Sequence, residues 1–403
     1  MQNFQNLRFS DAHQRDCARV VSSLLEADGQ SRASLAATLD LTSMTTSRII
    51  ADLLDNGFVT EDVAERRGRG RPGTLVRLNA QRVGFTVIKM TSYLVEGALL
   101  DLQGNMIASQ TKRLNDAADN QQMTVFLQQM IQALRASQPD MMVHVGTTIL
   151  VAGIVDVKKR VWLITSRWPQ VRDFNLAEAL NPVTPLVCLF RQLDIELDVH
   201  FKAETAPVNT AALLHWGWGI GLAYCSRDAA SIAHQGPFGE IGHWRFDTLQ
   251  DRPCGCGNRG CLETAVALPV LLQQLGLDEL IGLGQEHDIG GYLQDASLAD
   301  HADMQLATRL VARALGNICR ILFPDRVYLT GPFTSNQAVF TQLCSQFQAE
   351  GLVGALKLPD VIMVQTDNQN ILHSAIHPLI ESALGNLPAI AAGEINLPSD
   401  HTI

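Results

Sequence analysis

No stretch of this 403-residue chain reaches the roughly 18 consecutive apolar residues that a membrane span requires. The opening MQNFQNLRFSDAHQRD is too polar for a secretory signal, so a cytoplasmic protein is expected. Positive charge is also scarce: 31 Lys and Arg against 41 Asp and Glu give a net charge of −10, which argues against general affinity for polyanions. Any contact with nucleic acid must then come from a local basic patch. Nor is there a disulfide framework. Of the eight cysteines, Cys17, Cys188, Cys225, Cys319 and Cys344 are scattered in apolar or helical surroundings, as buried thiols of a reducing compartment are, and only three are clustered. What remains is an ordinary globular composition, 46% hydrophobic and 18% charged, in a chain too long for one core. Two or three domains are expected.

The basic patch lies near the front. Val20, Val21, Leu24 and Leu25 recur at helical spacing, residues 31–39 read as a second short helix, and Leu41-Thr42-Ser43 reads as a hydroxyl-capped turn opening a third over 44–54. Two helices joined by a tight turn form a helix-turn-helix pattern. The third carries Ile49, Ile50, Leu53 and Leu54 on one side, with Ser43, Thr45, Thr46, Ser47 and Arg48 near its N-terminal end. Small polar residues there suit a major groove, and an arginine can reach a phosphate or a guanine. A plain capped helix in a small helical domain fits that much equally well. The next segment, EDVAERRGRGRPGTLVRLN, reads as strand, loop and strand, the outline of a winged helix, with Arg66, Arg67, Arg69 and Arg71 in the loop. In Arg69-Gly70-Arg71-Pro72 the glycine admits close approach, the proline holds the chain extended, and the arginines favour the narrow minor groove of A·T-rich DNA. A solvated basic hairpin is the bland alternative, but this order directly after a helix-turn-helix favours DNA binding.

Beyond residue 82, strands and helices interleave. GFTVIKM, VEGALLDLQGNMIASQTKRL, MMVHVGTTIL and GIVDVKKRVWLITS read as strands and hairpins, and NQQMTVFLQQMIQALRAS as an amphipathic helix. DMQLATRLVARALGNICRILF reads as a long helix leading into the strand RVYLTG. This order predicts an α/β body of two lobes.

The series GALLDLQG, GEIGHW, CGCGNRGCLE and PDRVYLTG, behind a winged helix with a GRP wing, resembles the ROK family of repressors, open reading frames and sugar kinases. It is most similar to the repressor branch, which controls sugar-uptake genes in bacteria. The resemblance covers nearly the whole chain, and GEIGH with C-x-C-G-x-x-G-C-L-E is its most specific part. It implies an α/β architecture: an N-terminal winged helix-turn-helix (1–80) and a two-lobed actin-like, hexokinase-like body, with a cleft for sugar and, in the kinases, ATP. The first lobe is expected over 81–195, the second over 196–380 with its C-terminal helix returning to the first, and a tail over 381–403.

One histidine and three cysteines, His243, Cys254, Cys256 and Cys261, make a complete tetrahedral shell for Zn2+, with Gly255, Gly257 and Gly260 letting a short loop wrap the ion. No position is left for water, so the zinc is expected to be structural. Without the neighbouring GEIGH, Cys254 and Cys256 would read as a redox pair or as chance neighbours. The resemblance places Glu240, His243 and Glu263 on sugar hydroxyls, His243 offering one ring nitrogen to zinc and the other to the ligand. The plain alternative for Glu240 is a surface carboxylate beside a zinc loop.

The chain also departs from the family pattern. Family kinases carry a D-x-G-G-T phosphate turn, and alignment on GALLDLQG puts Lys89, Thr91, Ser92 and Tyr93 there, with the aspartate and both glycines gone. Their catalytic base is the Asp of an Asn-Asp pair that follows a strand, and ELDVHFKAETAPVNTAALL offers Ala203-Glu204 in its place. The longer side chain would move the carboxylate by about an ångström, a displacement that costs about a hundredfold in rate. GWGIG at 217–221 reads as a second phosphate turn or as a shortened helix-to-strand loop. The expectation is therefore a regulator, not an enzyme: a homodimer or homotetramer that binds an A/T-rich palindromic operator in double-stranded DNA. It would sense a sugar, or a sugar phosphate held with help from Lys89, through Glu204, Glu240, His243 and Glu263. The alternatives are a kinase with a fused DNA-binding head, control by a protein partner, and zinc sensing.

Overall fold

The computed structural model describes residues 9–27, 29–63, 74–227, 237–283, 285–354, 356–365 and 367–393. The wing arginines Arg66, Arg67, Arg69 and Arg71 lie outside these residues, as does the end of the chain from 394.

Three helices, α1 (Ala12–Glu26), α2 (Arg32–Leu39) and α3 (Ser43–Asp55), open the fold. Each starts on a side-chain cap that satisfies a first-turn amide: Asp11 accepts from Gln14, Ser31 from Ser34 and Thr42 from Thr45. α2 ends on Asp40, a non-glycine residue at φ 53 whose N–H reaches back to the Ala36 and Ala37 carbonyls, and the chain turns directly into α3. β2 (Val59–Val63) and β3 (Thr74–Leu78) are the strands expected around the wing. The sequence reading lacked β1 (Gln30–Ser31), a two-residue strand ahead of α2 that pairs with β3, so the small sheet runs β1-β3-β2. Two residues are too few for a hydrophobic period to register.

The first lobe holds β4 (Val83–Met90), β5 (Leu94–Asp101), β6 (Met106–Arg113), α4 (Asn120–Arg135) and β7 (Val143–Val151). A small sheet of β8 (Ile154–Asp156), β9 (Val161–Ile164) and β10 (Arg172–Asn175), then α5 (Leu176–Leu180), lead into β11 (Val187–Arg191). The main sheet is ordered β11-β7-β4-β5-β6, parallel from β11 to β4 and antiparallel beyond. α6 (Gln192–Ala203) crosses to the second lobe: β12 (Thr210–Trp216), β13 (Ile220–Ser226), α7 (Glu263–Val266), α8 (Leu268–Gln274), α9 (Glu286–Tyr292), α10 (Ala302–Leu322), β14 (Arg326–Thr330), α11 (Gln337–Glu350) and β15 (Asp360–Met363). Its sheet runs β13-β12-β14-β15. α12 (Asn368–Gly385) returns to pack on β4 and β7 of the first lobe, and α13 (Leu387–Ala391) docks on α1.

Packing divides the molecule unevenly. One face of the first-lobe sheet closes under α4 with Trp162 and Trp168. The other joins α12 to Val20, Val21 and Leu24 of α1 and Ile49, Ile50 and Leu53 of α3, so the helix-turn-helix has no core separate from the first lobe. The second lobe closes its own core around α10, whose Met304, Ala307, Val311, Leu315 and Ile318 recur at helical spacing. Arg82 locks the head to the lobe. Only 5% exposed, it donates to the carbonyls of Asn56 at the end of α3, Met141 in the first lobe and Ile390 in α13, and stacks over Phe58 at 5.5 Å. A guanidinium can satisfy several carbonyls in different directions at once, and near helix C-termini its charge is favourable.

Candidate effector site and metal cluster

The strip Gly239–His243 lies against β13. Leu222 donates to the Gly239 carbonyl at 3.0 Å, and a Cβ on Gly239, which has φ 81, would sit 1.9 Å from Leu222 O. A Cβ on Gly242 would come within 2.9 Å of Ile220 O. Both positions therefore require glycine. The loop 245–261 closes by antiparallel bridges Arg245 to Cys261 and Pro253 to Arg259, with Gly257 at φ 89 and Gly260 at φ 78. Gly255, also expected to shape the loop, has no positive φ and no neighbour that a Cβ would meet, so the geometry does not need it.

These turns bring His243, Cys254, Cys256 and Cys261 together, with ligand atoms all within 4.8 Å of one another. Cys254 Sγ stands 3.7 Å from His243 Nδ1, and Cys256 Sγ 3.7 Å from Cys261 Sγ. Such separations are the edges of a tetrahedron around a metal with bonds of about 2.0–2.3 Å. Burial opposes ionisation of Cys256, but the Asn258 N–H and the neighbouring thiols bring its pKa down to about 7, so a thiolate forms near neutrality. The cluster could bind a metal. Glu263 stands behind it, accepting from the Cys254 thiol at 2.9 Å and lying 3.5 Å from His243 Nδ1.

Glu240 joins this group, its carboxyl pushed up by burial and by Glu263 and drawn down by Arg191 and His243. Arg191, at the end of β11, is itself held by Asp194 through two bonds of 2.7 and 2.9 Å and donates to the Phe238 and Leu222 carbonyls. Sequence reasoning missed this buried pair. Its signal was an arginine three residues ahead of an aspartate where a strand passes into a helix.

Glu204 is not part of the site. ELDVHFKA lies within α6, so Glu204 caps a helix rather than following a strand. It accepts from Ala206 N–H and Tyr328 and pairs with Arg326 at 3.5 Å, at the opening end of β14. Glu240 instead sits where β11 ends and where β13 pairs with the close of β12, and carboxyl ends of strands are where α/β sheets bind ligands. The residues that follow a strand there are Arg191 and Gln192, neither a carboxylate. Gln192 Oε1 is buried without a hydrogen-bond partner.

The phosphate side is filled from within. Lys89 pairs with Glu96 across β4 and β5 at 2.5 Å and donates to Asn368, so its charge is already neutralised and it does not stand ready for a sugar phosphate. In the turn after β4, Ser92 donates to Leu94 O and the Tyr93 ring receives the Arg113 and Arg167 cations. GWGIG forms the tight turn of a hairpin between β12 and β13, which overturns the helix-to-strand reading. The N–H of Trp218 in that turn donates to Glu286 at 2.5 Å, whose other oxygen pairs with His215 at 2.9 Å. Burial alone would favour a neutral Glu286, but His215, the Trp218 N–H and Arg167 hold its carboxyl below the usual range. Arg167 of the first lobe stacks on Trp218 of the second at 4.4 Å, and Gln285 donates to Glu96 across the same gap. A protein carboxylate thus occupies the N–H that a phosphate-binding turn would present.

A family model for the ROK family matches residues 88–386. The chain belongs to the ROK family. It is similar to the DNA-binding transcriptional repressor Mlc of Escherichia coli (strain K12), 21% identical over 370 residues that cover 88% of this chain and 90% of that protein. It is also 22% identical to the DNA-binding transcriptional dual regulator NagC of that strain over 248 residues, 61% of this chain; the match spans only 60% of NagC. Among solved structures, a ROK family transcriptional regulator described as a homolog of the E. coli MLC protein aligns with TM-score 0.67 at 19% identity, over 94% of this chain and 99% of that one. The ROK hexokinase from Thermus thermophilus aligns with TM-score 0.54 at 16% identity, over 72% and 96%. The two lobes have the actin-like, hexokinase-like ROK fold.

Ahead of the ROK body, α3 presents Ser43, Ser47 and Arg48 to solvent. Thr45 is half-buried against Thr42. Thr46, expected at a DNA surface, is fully buried and donates to Thr42 O, because it shares the core side with Ile49, Ile50 and Leu53, three, four and seven residues on. Sequence reasoning missed Met44, 84% exposed beside Ser43. An exposed apolar residue at the start of a recognition helix can meet a thymine methyl group.

Proposed function

We propose that this protein is a DNA-binding transcriptional regulator, most simply a repressor, of carbohydrate uptake or metabolism genes. The observation that carries the reading is the joint at Arg82, which fastens a helix-turn-helix with an exposed Ser43, Met44, Ser47 and Arg48 face to the first lobe of a ROK body. Relatives named as transcriptional repressors support it. Residues 1–80 form the DNA-binding head, 81–195 with the returning α12 and α13 the first lobe, and 196–367 the second. Arg66, Arg67, Arg69 and Arg71 serve the minor groove beside an A/T-rich palindromic operator, read by a cytoplasmic homodimer or homotetramer.

The effector is a sugar. Glu240 and Glu263 accept hydroxyl hydrogen bonds, His243 presents Nε2, and Gln192 supplies an acceptor that otherwise stays orphaned. His243, Cys254, Cys256 and Cys261 hold a structural Zn2+, which fixes the loop leading into Glu263 at the start of α7. Sugar bound in the second lobe shifts its angle to the first. The heads follow the first lobe, and their spacing on the two half-sites changes. Phosphoryl transfer is disfavoured because Glu286 fills the Trp218 turn and Gln192 cannot act as a base.

The test is selection of genomic fragments by the purified chain at moderate salt. Enrichment of one palindromic site beside transport or sugar-metabolism genes is expected, and Arg48→Ala, or Arg69→Ala with Arg71→Ala, should weaken it. Enrichment no better than that of a chain lacking the wing would sink the reading. Release from the operator by a sugar, lost in Glu240→Ala, identifies the effector; release by a protein partner that still acts on Glu240→Ala would replace the sugar with that partner.

A further inference from the structure

A second set of metal-ligating side chains lies in the helix-turn-helix. His13 and Cys17 stand four residues apart on α1, the spacing that places two side chains on one helix face, and Asp52 of α3 meets them. His13 Nε2 is 2.9 Å from Asp52 Oδ2 and 3.6 Å from Cys17 Sγ, and the three ligand atoms lie within 4.8 Å of one another. Donors around an ion with bonds of about 2.0–2.3 Å stand about 3.3–3.7 Å apart, so a small shift of Asp52 completes the geometry. A hydrogen bond between His13 and Asp52 would account for that pair but not for the thiol beside it. In the metal-free chain the Asp52 carboxylate accepts from Nε2–H, and a bound cation would replace that proton, while the buried Nδ1, which has no partner, could carry it instead. Burial, with the negative charge of Asp52, Asp16 and Asp11, opposes ionisation of the Cys17 thiol and Arg48 favours it, so the cation itself must displace the thiol proton.

We propose that His13, Cys17 and Asp52 form a second metal site, which takes a divalent cation of the Zn2+ class and ties α1 to the exposed helix α3. Mixed nitrogen, sulfur and oxygen donors select such an ion over Ca2+ or Mg2+, which prefer oxygen shells. The side chains of His13 and Asp52 are 30% and 49% exposed, so a fourth position stays open to water. The ion therefore binds more weakly than one in the closed shell of His243 and its three cysteines. Asp52 lies one turn beyond Arg48 on α3, so metal fixes the helix that carries the exposed Arg48. The inference rests on this triad and stands apart from the sugar-regulator reading.

The experiment uses the full chain, stripped with a chelator and dialysed against Zn2+, with bound metal counted by elemental mass spectrometry and amide hydrogen exchange followed with and without zinc. His13→Ala and Asp52→Asn should each carry one zinc fewer than the wild type, while Cys256→Ser keeps the ion that His13 holds. At zinc a hundredfold above its Kd, exchange of α1 and α3 in the wild type should slow by about a hundredfold, and in Asp52→Asn not at all. Metal-free exchange of Asp52→Asn matching the wild type shows that the head remains folded. Equal zinc counts in wild type and both variants overturn the site. A lost ion without slowed exchange in α1 and α3 overturns the tie between the helices.

Discussion

The two lobes share one fold but close their cores differently. The first has one sheet face sealed by α12, α1 and α3, so that the head and the C-terminal helices belong to its core. The second closes on itself around α10 and carries the His243, Cys254, Cys256 and Cys261 loop at its edge. The lobe with the metal cluster and the carboxylates is therefore not the lobe that carries the helix-turn-helix. The contacts that join them include Arg191 with the Leu222 and Phe238 carbonyls, Arg167 with Trp218 and Gln285 with Glu96, beside the crossing through α6.

Loss of the proposed Zn2+ should break this comparison most strongly. Cys256→Ser, or chelation, is expected to cost about 4 kcal/mol or more. Hydrogen exchange should show lost protection in the second lobe with β4 and β7 still protected; equal loss in both lobes would mean that they unfold as one unit. Arg82→Ala acts on the other side. One buried and two part-buried carbonyls lose a charged donor, at a cost of about 3 kcal/mol, and α1, α3 and α13 should exchange faster while α10 does not.

Acid sharpens the contrast. Burial, with Arg135 nearby, lowers the pKa of His144 to about 3 from an ordinary 6.5, and its Nε2 is 2.9 Å from Thr86 Oγ1 between strands of the first lobe. The unfolded chain takes up a proton below pH 6.5 and the folded one does not, so this stability is complete above 6.5 and is lost as pH falls toward about 3. Between pH 6.5 and 5 the loss approaches about 2 kcal/mol, and denaturant titrations should find it reduced in His144→Gln. The smallest effect belongs to the contact between lobes. Glu286→Gln keeps an acceptor for Trp218 but removes the charge facing His215 and Arg167, for about 1 kcal/mol. A change in the interlobe angle by solution scattering, with both cores intact, is expected; an unchanged profile would remove Glu286 from the coupling.

Much of this was legible beforehand. A 3.6-residue period and the hydroxyl-capped turn at Leu41-Thr42-Ser43 outlined α1 to α3, because these signals act over a few residues, while the Asp11 cap went unread. The cluster that could bind a metal was legible for the same reason: its four side chains fall within one short stretch, with Gly257 and Gly260 marking the bends. Thr46 was misplaced because its polarity was weighed over its spacing from Ile49 and Ile50. Glu204 was misplaced because a helical segment was read as a strand. Arg191 with Asp194, and Glu286 with Trp218, were invisible as functional pairs, since the partners they address lie in other elements.

By itself, the sequence determined the helix-turn-helix, the α/β order, the histidine and three cysteines that could hold a metal and the absence of the phosphate-turn glycines, all consequences of local spacing and residue chemistry. Only the tertiary structure decided that the head shares a core with the first lobe, that Arg191 rather than Glu204 stands beside Glu240, and that Glu286 occupies the emptied turn. Those are meetings between distant segments, and which segments meet depends on how two sheets and their helices bury their apolar faces together.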